Sequence, residues 1–187
     1  MLRVISGSAR NLKLVTPEGL ETRPTTDRIK ETLFNILQFD IAGATVIDFF
    51  AGSGSIGIEC LSRGAKKAYF ADNSKEAHKC IVENIKHTRF EDKSVVFMQD
   101  AIRAASQIHE ANVDFIFMDP PYEKGLEAEL LSVLKDKEYV TPDTLIIIEA
   151  DIKTDFSYTD NLGYEIVREK LYKTNKHVFL RLKQAEA

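Results

Sequence analysis

A loop with three glycines follows the first long apolar run of the sequence and could hold a nucleoside. Gly52, Gly54 and Gly57 fit the pattern G-x-G-x-x-G, and Asp72 follows Gly52 by 20 residues. Glycine lets the backbone turn sharply and lets a ligand approach it closely. A carboxylate at the end of the next strand can accept hydrogen bonds from both hydroxyls of a ribose. We therefore expect a cofactor with a nucleoside at this loop.

The acid at the end of the preceding run narrows the choice of cofactor. Asp48 lies four residues before Gly52, where it would repel the pyrophosphate that a dinucleotide places against such a loop. S-adenosylmethionine has a ribose, an adenine and two cationic groups but no phosphate, so it fits. Asp100 follows a third apolar run, where it could accept from the adenine amino group, cap the next helix, or do both. The predicted cofactor-binding residues are Asp48, Phe50, Gly52, Ser53, Gly54, Gly57, Asp72, Asn73, Asp100 and Ala101.

A stiff tetrapeptide at the end of a fourth apolar run is predicted to be catalytic. It reads Asp119-Pro120-Pro121-Tyr122. Each proline fixes its own φ at about −65°, so the loop is rigid and its carbonyl has a fixed direction. Asp119 and the Pro120 carbonyl can accept hydrogen bonds from one exocyclic amino group, while Tyr122 offers a face on which a planar base can stack. Held in this way, the nitrogen would attack a methyl group directly, with positioning as the main contribution to the rate.

The apolar pattern predicts the elements that carry these loops. A hairpin is expected from residues 2–5 and 12–15, then a helix from Thr26 or Asp27 to about Phe39. Strands are predicted at 45–50, 67–71, 95–98, 113–118 and 145–149, and helices at 55–63, 74–87, 101–109 and 124–135. Such alternation indicates a parallel sheet with helices on both faces and ligands at the carboxyl ends of its strands. Strands 164–170 and 177–182 have no helix between them and should pair antiparallel. The predicted fold is α/β, a Rossmann-like, seven-stranded, mostly parallel sheet with a C-terminal antiparallel hairpin and a short N-terminal extension.

Composition and charge exclude several classes of protein. The 187 residues are 44% hydrophobic and 29% charged, which is typical of globular domains. No apolar run approaches the roughly 18 residues of a membrane helix. With two cysteines and no metal spacing among the histidines, we expect a cytoplasmic protein that holds no metal. The net charge is −4, yet residues 1–17 carry +3 and residues 168–183 carry +5. These basic ends suggest either contact with a polyanion or solvated edges that discourage aggregation.

The motifs together carry a resemblance to a known family. The segment from Asp48 to Gly54 and the loop from Asp119 to Tyr122 are similar to class I S-adenosylmethionine-dependent methyltransferases that act on amino groups. Residues 3–7 and 23–35 further resemble the bacterial 16S rRNA guanine-N2 methyltransferase family, of the small-subunit methyltransferase D type. The resemblance covers nearly the whole chain, with one departure at Asp72, where the family more often has Glu.

The resemblance implies methyl transfer from S-adenosylmethionine to the N2 amine of a guanine in 16S rRNA. The substrate would be the rRNA or a small-subunit assembly particle, and the protein would be a monomer. Residues 1–40 would form an extension of hairpin, mobile loop and helix, and residues 41–187 the methyltransferase domain. The basic residues predicted to contact RNA around the mouth of the pocket are Arg10, Lys13, Arg23 and Arg28.

Other functions stay open on the sequence alone. The same acidic loop could hold N6 of adenine in RNA or DNA, or the amide of a protein glutamine. A non-catalytic RNA-binding assembly factor could also keep the fold, although an intact Asp119–Tyr122 loop argues against it. Cys60 and Cys80 fall within predicted helices, away from strand ends, which argues against a cysteine nucleophile. His177 is expected to be an ordinary surface residue.

Overall fold

The elements of the protein follow the predicted order. A computed structural model describes residues 2–17, 26–122 and 124–184. The helices are α1 (Thr26–Leu37), α2 (Ser55–Ser62), α3 (Lys75–Thr88), α4 (Ala101–Ala105) and α5 (Leu126–Leu134). The strands are β1 (Thr45–Phe49), β2 (Lys67–Asp72), β3 (Ser94–Met98), β4 (Phe115–Met118), β5 (Leu145–Asp151), β6 (Tyr164–Leu171) and β7 (Asn175–Leu182). The predicted turn-rich segment around Pro24, with Arg23, lies outside the described residues.

The strands form one seven-stranded sheet in the order β3-β2-β1-β4-β5-β7-β6. The first five are parallel, and β7 inserts antiparallel between β5 and β6. This arrangement confirms the predicted fold class. The chain crosses from one side of β1 to the other between β3 and β4, so the carboxyl ends of β1 and β4 flank the switch point where such sheets bind ligands.

Alternate side chains of each parallel strand enter two separate cores, as the pleat of a strand requires. Val46, Phe70 and Phe117 pack with α1, α2 and α3 on one face of the sheet. Ile47 and Ile116 pack with α4 and α5 on the other. Both faces are therefore covered, which explains why the parallel strands are apolar runs rather than alternating patterns.

The N-terminal segment forms the predicted hairpin and docks onto α2 through a buried carboxylate. Its backbone pairs Val4 with Leu12 and Leu2 with Leu14. Glu59 of α2 is fully buried and accepts hydrogen bonds from the backbone N–H groups of Ile5 and Ser6 at 2.8 and 3.0 Å. Two cationic side chains lie beside this carboxylate, Arg63 at the end of the same helix, with Nε at 2.8 Å, and Lys30 of α1, with Nζ at 3.5 Å.

A second buried polar side chain fixes the end of the N-terminal segment. Asn84 of α3 accepts a hydrogen bond from the Val15 N–H at 2.8 Å and donates to the Val15 carbonyl at 2.9 Å. Its amide also donates to the carbonyl of Ser53, at 2.9 Å. One side chain thus ties the N-terminal segment to the glycine-containing loop.

Several boundaries differ from those predicted, for local reasons. The helix predicted to reach residue 109 ends at Ala105, because Gln107 forms a turn to Ala104 that directs Ile108 into the core. Helix α5 begins at Leu126 rather than 124, because Gly125 before it is left-handed, with φ 65°. Among the helices formed by the described residues, none is long and apolar enough to cross a membrane.

Candidate functional site

The glycine loop joins β1 to α2 in a backbone that only certain residues allow. Gly54 precedes the first turn of α2 with φ 75°, in the left-handed region that favours glycine. Gly57 lies within that turn, where an added Cβ would come within 2.3 Å of the Phe70 ring. Phe50 has a positive φ of 59°, which is strained for a bulky residue and is typical of a functional loop. The loop therefore brings α2 and its N–H groups close against the sheet.

Asp72 supports this loop as well as facing the cleft beside it. Its Oδ2 accepts from the Gly52 N–H at 2.9 Å, and its Oδ1 accepts from the Ser74 N–H at 2.9 Å. A carboxylate has about four acceptor positions, so two bonds leave capacity for a ribose. The sequence predicted only the ribose contact, whereas the structure adds a backbone role.

A pocket of about 250 Å³ lies beside the loop and suits the base of a nucleoside. Asp100 is at its rim, and its Oδ1 caps α4 by accepting from the Arg103 N–H at 2.9 Å. The helix-cap part of the prediction for Asp100 is thus confirmed. The predicted residues that line the pocket are Phe50, Asp72, Asn73, Asp100 and Ala101, together with apolar side chains such as Ile102, Leu126 and Leu130.

Asp48 is buried behind the glycine loop and lines a larger cleft of about 800 Å³. Its Oδ2 accepts from the Gly57 N–H at 3.0 Å. Burial raises its pKa to about 8; the Gly57 bond opposes that shift, and the nearby Asp119 and Asp72 add to it. A neutral side chain is therefore well populated near pH 7, and a cation beside it would draw off the proton.

Replacement of Asp48 by asparagine should change how stability depends on pH. Because the pKa of Asp48 is higher in the folded chain than in the unfolded one, its contribution to stability is complete below about pH 4 and is lost as the pH rises towards about 8. Asparagine can still accept from Gly57 but does not titrate. The melting temperature of Asp48→Asn relative to the wild type should therefore be higher at about pH 8.5 than at about pH 5. An equal difference at both pH values would contradict the assignment.

The acidic loop after β4 opens onto the same cleft. Asp119, Pro120, Pro121 and Tyr122 all line it, as do Asp48 and the glycine loop. Asp119 is exposed and Pro120 is buried. The acid is therefore accessible from the cleft, while the residue after it is held in the protein interior. Because β1 and β4 are parallel neighbours, the predicted cofactor loop and the predicted catalytic loop lie at the same edge of the sheet.

A polar cluster that sequence reasoning missed completes the wall of the cleft. Glu149 accepts from the Asn175 amide, with 2.6 Å between Oε1 and Nδ2. Its Oε2 lies 3.4 Å from His177 Nε2, and the Tyr122 hydroxyl lies 3.5 Å from Oε1. His177 is buried, so the expectation of a surface histidine was wrong, because β7 is an inner strand of the sheet. Glu149 could have been found by extending the search for polar strand ends to β5.

The basic residues predicted to surround the cleft do not all do so. The turn that carries Arg10 packs against Ser62, and the Ser8 N–H donates a hydrogen bond to the Ser62 carbonyl at 2.8 Å. Ser62 ends α2, whereas the glycine loop precedes the first turn of α2, and Arg10 is not among the described residues that line the cleft. Lys13 is exposed, and its backbone pairs antiparallel with that of Arg3 across the hairpin. Arg28 is exposed and directly precedes Ile29 and Lys30, which line the cleft.

The two cysteines lie where the sequence predicted, in helices α2 and α3. Cys60 is buried, and burial raises the pKa of its thiol well above the ordinary value. Such a thiol is inert as a nucleophile at neutral pH. Within the described residues, no group of three or more His, Cys, Asp or Glu side chains could hold a metal ion.

Comparisons with known proteins show the family to which the chain belongs. A family described as conserved hypothetical protein 95 matches residues 2–181. The chain is 33% identical to Ribosomal RNA small subunit methyltransferase D of Escherichia coli over 186 residues, which cover 100% of this chain and 91% of that protein. It is 36% identical to the candidate rRNA methyltransferase YlbH of Bacillus subtilis, over 84% of this chain and 87% of YlbH. The solved structure of yhhF, a candidate methyltransferase of Escherichia coli, superposes with a TM-score of 0.83 at 29% identity, covering 97% of this chain and 98% of that one.

Proposed function

The chain belongs to the conserved hypothetical protein 95 family, and we propose that it transfers a methyl group from S-adenosylmethionine to the N2 amine of a guanine in small-subunit ribosomal RNA. The observation that carries this proposal is the shared cleft, in which a nucleoside pocket and the Asp119–Tyr122 loop open onto the same space. The names of the relatives at 33–36% identity support the class of reaction and of RNA. We further propose a monomer that acts in the cytoplasm on the rRNA or on an assembling particle.

The residues present suit this cofactor. Asp72 has acceptor capacity left for a ribose, and Asp100 with the apolar pocket suits an adenine. Asp48 is buried and mostly protonated near pH 7 because its pKa is raised to about 8. It would lose this proton when the cofactor's ammonium group binds, and its carboxylate would then accept a hydrogen bond from that group. When bound, S-adenosylmethionine supplies an electrophilic methyl group on a sulfonium centre.

The chain's own contribution to the reaction is to hold a weak nucleophile in place. The lone pair of a guanine amino group is delocalised into the ring. Hydrogen bonds to Asp119 and the Pro120 carbonyl would favour a pyramidal nitrogen and direct its lone pair at the methyl group. The Asp119 carboxylate would also stabilise the positive charge that develops on nitrogen. Tyr122 would stack on the base, which must leave its own stack to reach the cleft.

The RNA backbone would meet the wall built from the N-terminal segment. Arg28 is exposed beside the cleft and Lys13 is exposed on the hairpin, so both are available to phosphates. Arg10 and Arg23 belong to the same predicted set, and the turn that carries Arg10 packs at the far end of α2 from the glycine loop. Contacts with phosphate release counterions, so RNA affinity should fall with rising salt.

Methyl transfer to small-subunit rRNA, and to small-subunit particles, from cells that lack this gene tests the proposal directly. We expect the purified chain, with S-adenosylmethionine labelled in its methyl group, to label small-subunit rRNA at the N2 position of one guanine, read by mass mapping. Label at N6 of adenine would instead support the adenine alternative, and label only in protein would support the glutamine one. Binding of RNA without any methyl transfer would instead support the alternative of a non-catalytic assembly factor.

A thermal shift separates the cofactor from the RNA in this test. S-adenosylmethionine should raise the melting temperature because it binds only the folded chain, and NAD should not. Asp72→Ala should remove most of this shift, while Asp143→Ala, at an exposed acid in the turn before β5, should keep it. A larger shift with NAD would refute the cofactor assignment.

A further inference from the structure

Glu149 lies beside the predicted catalytic acid as its neighbour on the next strand. Met118, the last residue of β4, pairs with Ile148 of β5, so Asp119 and Glu149 follow at matching positions. Phe117 and Ile147, two residues earlier, both enter the same core, which places Asp119 and Glu149 on one side of the sheet. Both residues line the large cleft.

The Glu149 carboxylate is held by donors from β7 and oriented from behind. Asn175 and His177 are both buried, and both contact it. The His177 ring is fixed on its other side by the Tyr172 hydroxyl, 3.1 Å from Nδ1. If that hydroxyl donates to Nδ1, the imidazole carries its hydrogen on Nε2 and donates to Glu149. The carboxylate is thus set rigidly at the wall of the cleft.

Glu149 keeps its negative charge in this position. Burial by itself raises its pKa, but the hydrogen bond and charge of His177, with Asn175 and Tyr122, outweigh burial and hold the pKa below its ordinary value. The side chain is 26% exposed, so it retains access to the cleft. Asn175 and Tyr122 contact Oε1 and His177 contacts Oε2, so Oε2 keeps an acceptor position. A charged acceptor forms stronger hydrogen bonds with N–H donors than a neutral one does.

A base whose amino group is held at Asp119 can present a ring nitrogen beside that amino group to Glu149, because the two acids follow paired residues of neighbouring strands and line one cleft. In guanine the carbon that bears the amino group lies between two ring nitrogens, of which N1 carries a hydrogen and can donate, whereas N3 only accepts. In adenine and cytosine the ring nitrogen beside the amino group is an acceptor, which a carboxylate repels. We propose that Glu149 accepts a hydrogen bond from guanine N1–H and thereby selects guanine over other amino-bearing bases. This inference rests on the proposed function and assigns the residue that reads the base.

A base analogue distinguishes this role from a structural one. 2-Aminopurine keeps the amino group at C2 but has an unprotonated N1. The substrates are two copies of a small-subunit rRNA fragment, with guanine or 2-aminopurine at the position mapped above. We expect the wild type to prefer guanine by roughly 100-fold in kcat/KM, because an unprotonated N1 forms no hydrogen bond to Glu149 and directs a lone pair at its negative charge. Glu149→Gln, whose amide can donate to N1, should reduce that preference to less than about tenfold, mainly by slowing transfer to guanine.

The controls separate this inference from the function on which it rests. Glu165→Gln changes an exposed residue of β6 and should leave the preference unchanged. The S-adenosylmethionine-induced melting shift of Glu149→Gln should match that of the wild type, which shows a folded and cofactor-competent chain. Transfer to guanine with the same preference in Glu149→Gln would overturn the role of Glu149 alone. Absence of transfer to guanine by the wild type would overturn the proposed function, and this inference with it.

Discussion

Asp119→Ala should lower the rate of methyl transfer by about 100–1,000-fold while the chain still binds S-adenosylmethionine. The expected size follows from removal of a charged group aimed at charge that develops in the transition state. Asp119 follows β4 and is exposed at the cleft, so its loss leaves both cores intact. The measurement is single-turnover transfer of labelled methyl to small-subunit rRNA, with the cofactor-induced melting shift measured in parallel.

Two further variants sharpen this result. Asp119→Asn keeps one acceptor for the amino group but loses the charge, so a rate between those of wild type and alanine would separate positioning from electrostatics. Asp92→Ala removes an exposed acid from the 3₁₀ turn before β3, at the opposite edge of the sheet, and should have no effect. Transfer within about tenfold of the wild type in Asp119→Ala would mean that another group holds the amine.

Glu59→Ala should cause the largest loss of stability among single changes in the N-terminal contact. It would strand the buried Lys30 ammonium and leave the N–H groups of Ile5 and Ser6 without their acceptor. Breaking a buried ion pair from one side costs about 3–5 kcal/mol, which for a chain of this size lowers the melting temperature by roughly 6–20 °C. Calorimetry or thermal denaturation monitored by circular dichroism measures the change.

The control for this prediction removes the partner as well. Lys30 lies 3.5 Å from Glu59 and donates to the Arg3 carbonyl at 2.6 Å. Glu59→Gln combined with Lys30→Met removes the buried ammonium together with its partner, and only Arg63, at the end of α2, loses an ion pair. The loss should therefore be smaller than the sum of the losses in Glu59→Gln and Lys30→Met alone. Glu83→Ala, at an exposed position of α3, should change stability by less than about 0.5 kcal/mol. Additive losses in the double variant would show that the buried pair is not coupled.

The strand ends were predictable because a parallel sheet gathers them at one edge. Asp48, Asp72 and Asp119 each follow an apolar run, so their meeting at one cleft needed no knowledge of side-chain packing. Glu149 also lies near the carboxyl end of a parallel strand, but Asn175 and His177, which hold its carboxylate, do not. They come from β7, and the register that pairs Glu149 with His177 is set by an antiparallel contact that no local pattern reveals.

The N-terminal contacts were not predictable for a different reason. Glu59 and Asn84 join residues 54 and 69 positions away, and each reads in the sequence as an ordinary polar residue of an amphipathic helix. The position of Arg10 was not predictable either, because the direction of its hairpin depends on Gly7. An added Cβ there would meet the Ser62 carbonyl, so close backbone packing rather than charge decides where Arg10 lies.

The three hydrogen bonds of Asn84 have a consequence for the order of folding during synthesis. The N-terminal segment leaves the ribosome first, yet the residue that holds Val15 emerges 69 positions later. Glu59 and Ser62 of α2 are made earlier and can hold the start of the segment, but Val15 has no Asn84 partner until α3 is complete. Closing so long a loop adds an entropic cost that later contacts must offset. Asn84 also donates to the Ser53 carbonyl. The glycine loop and the end of the N-terminal segment are therefore held by the same side chain, and both gain this contact only after α3 has formed.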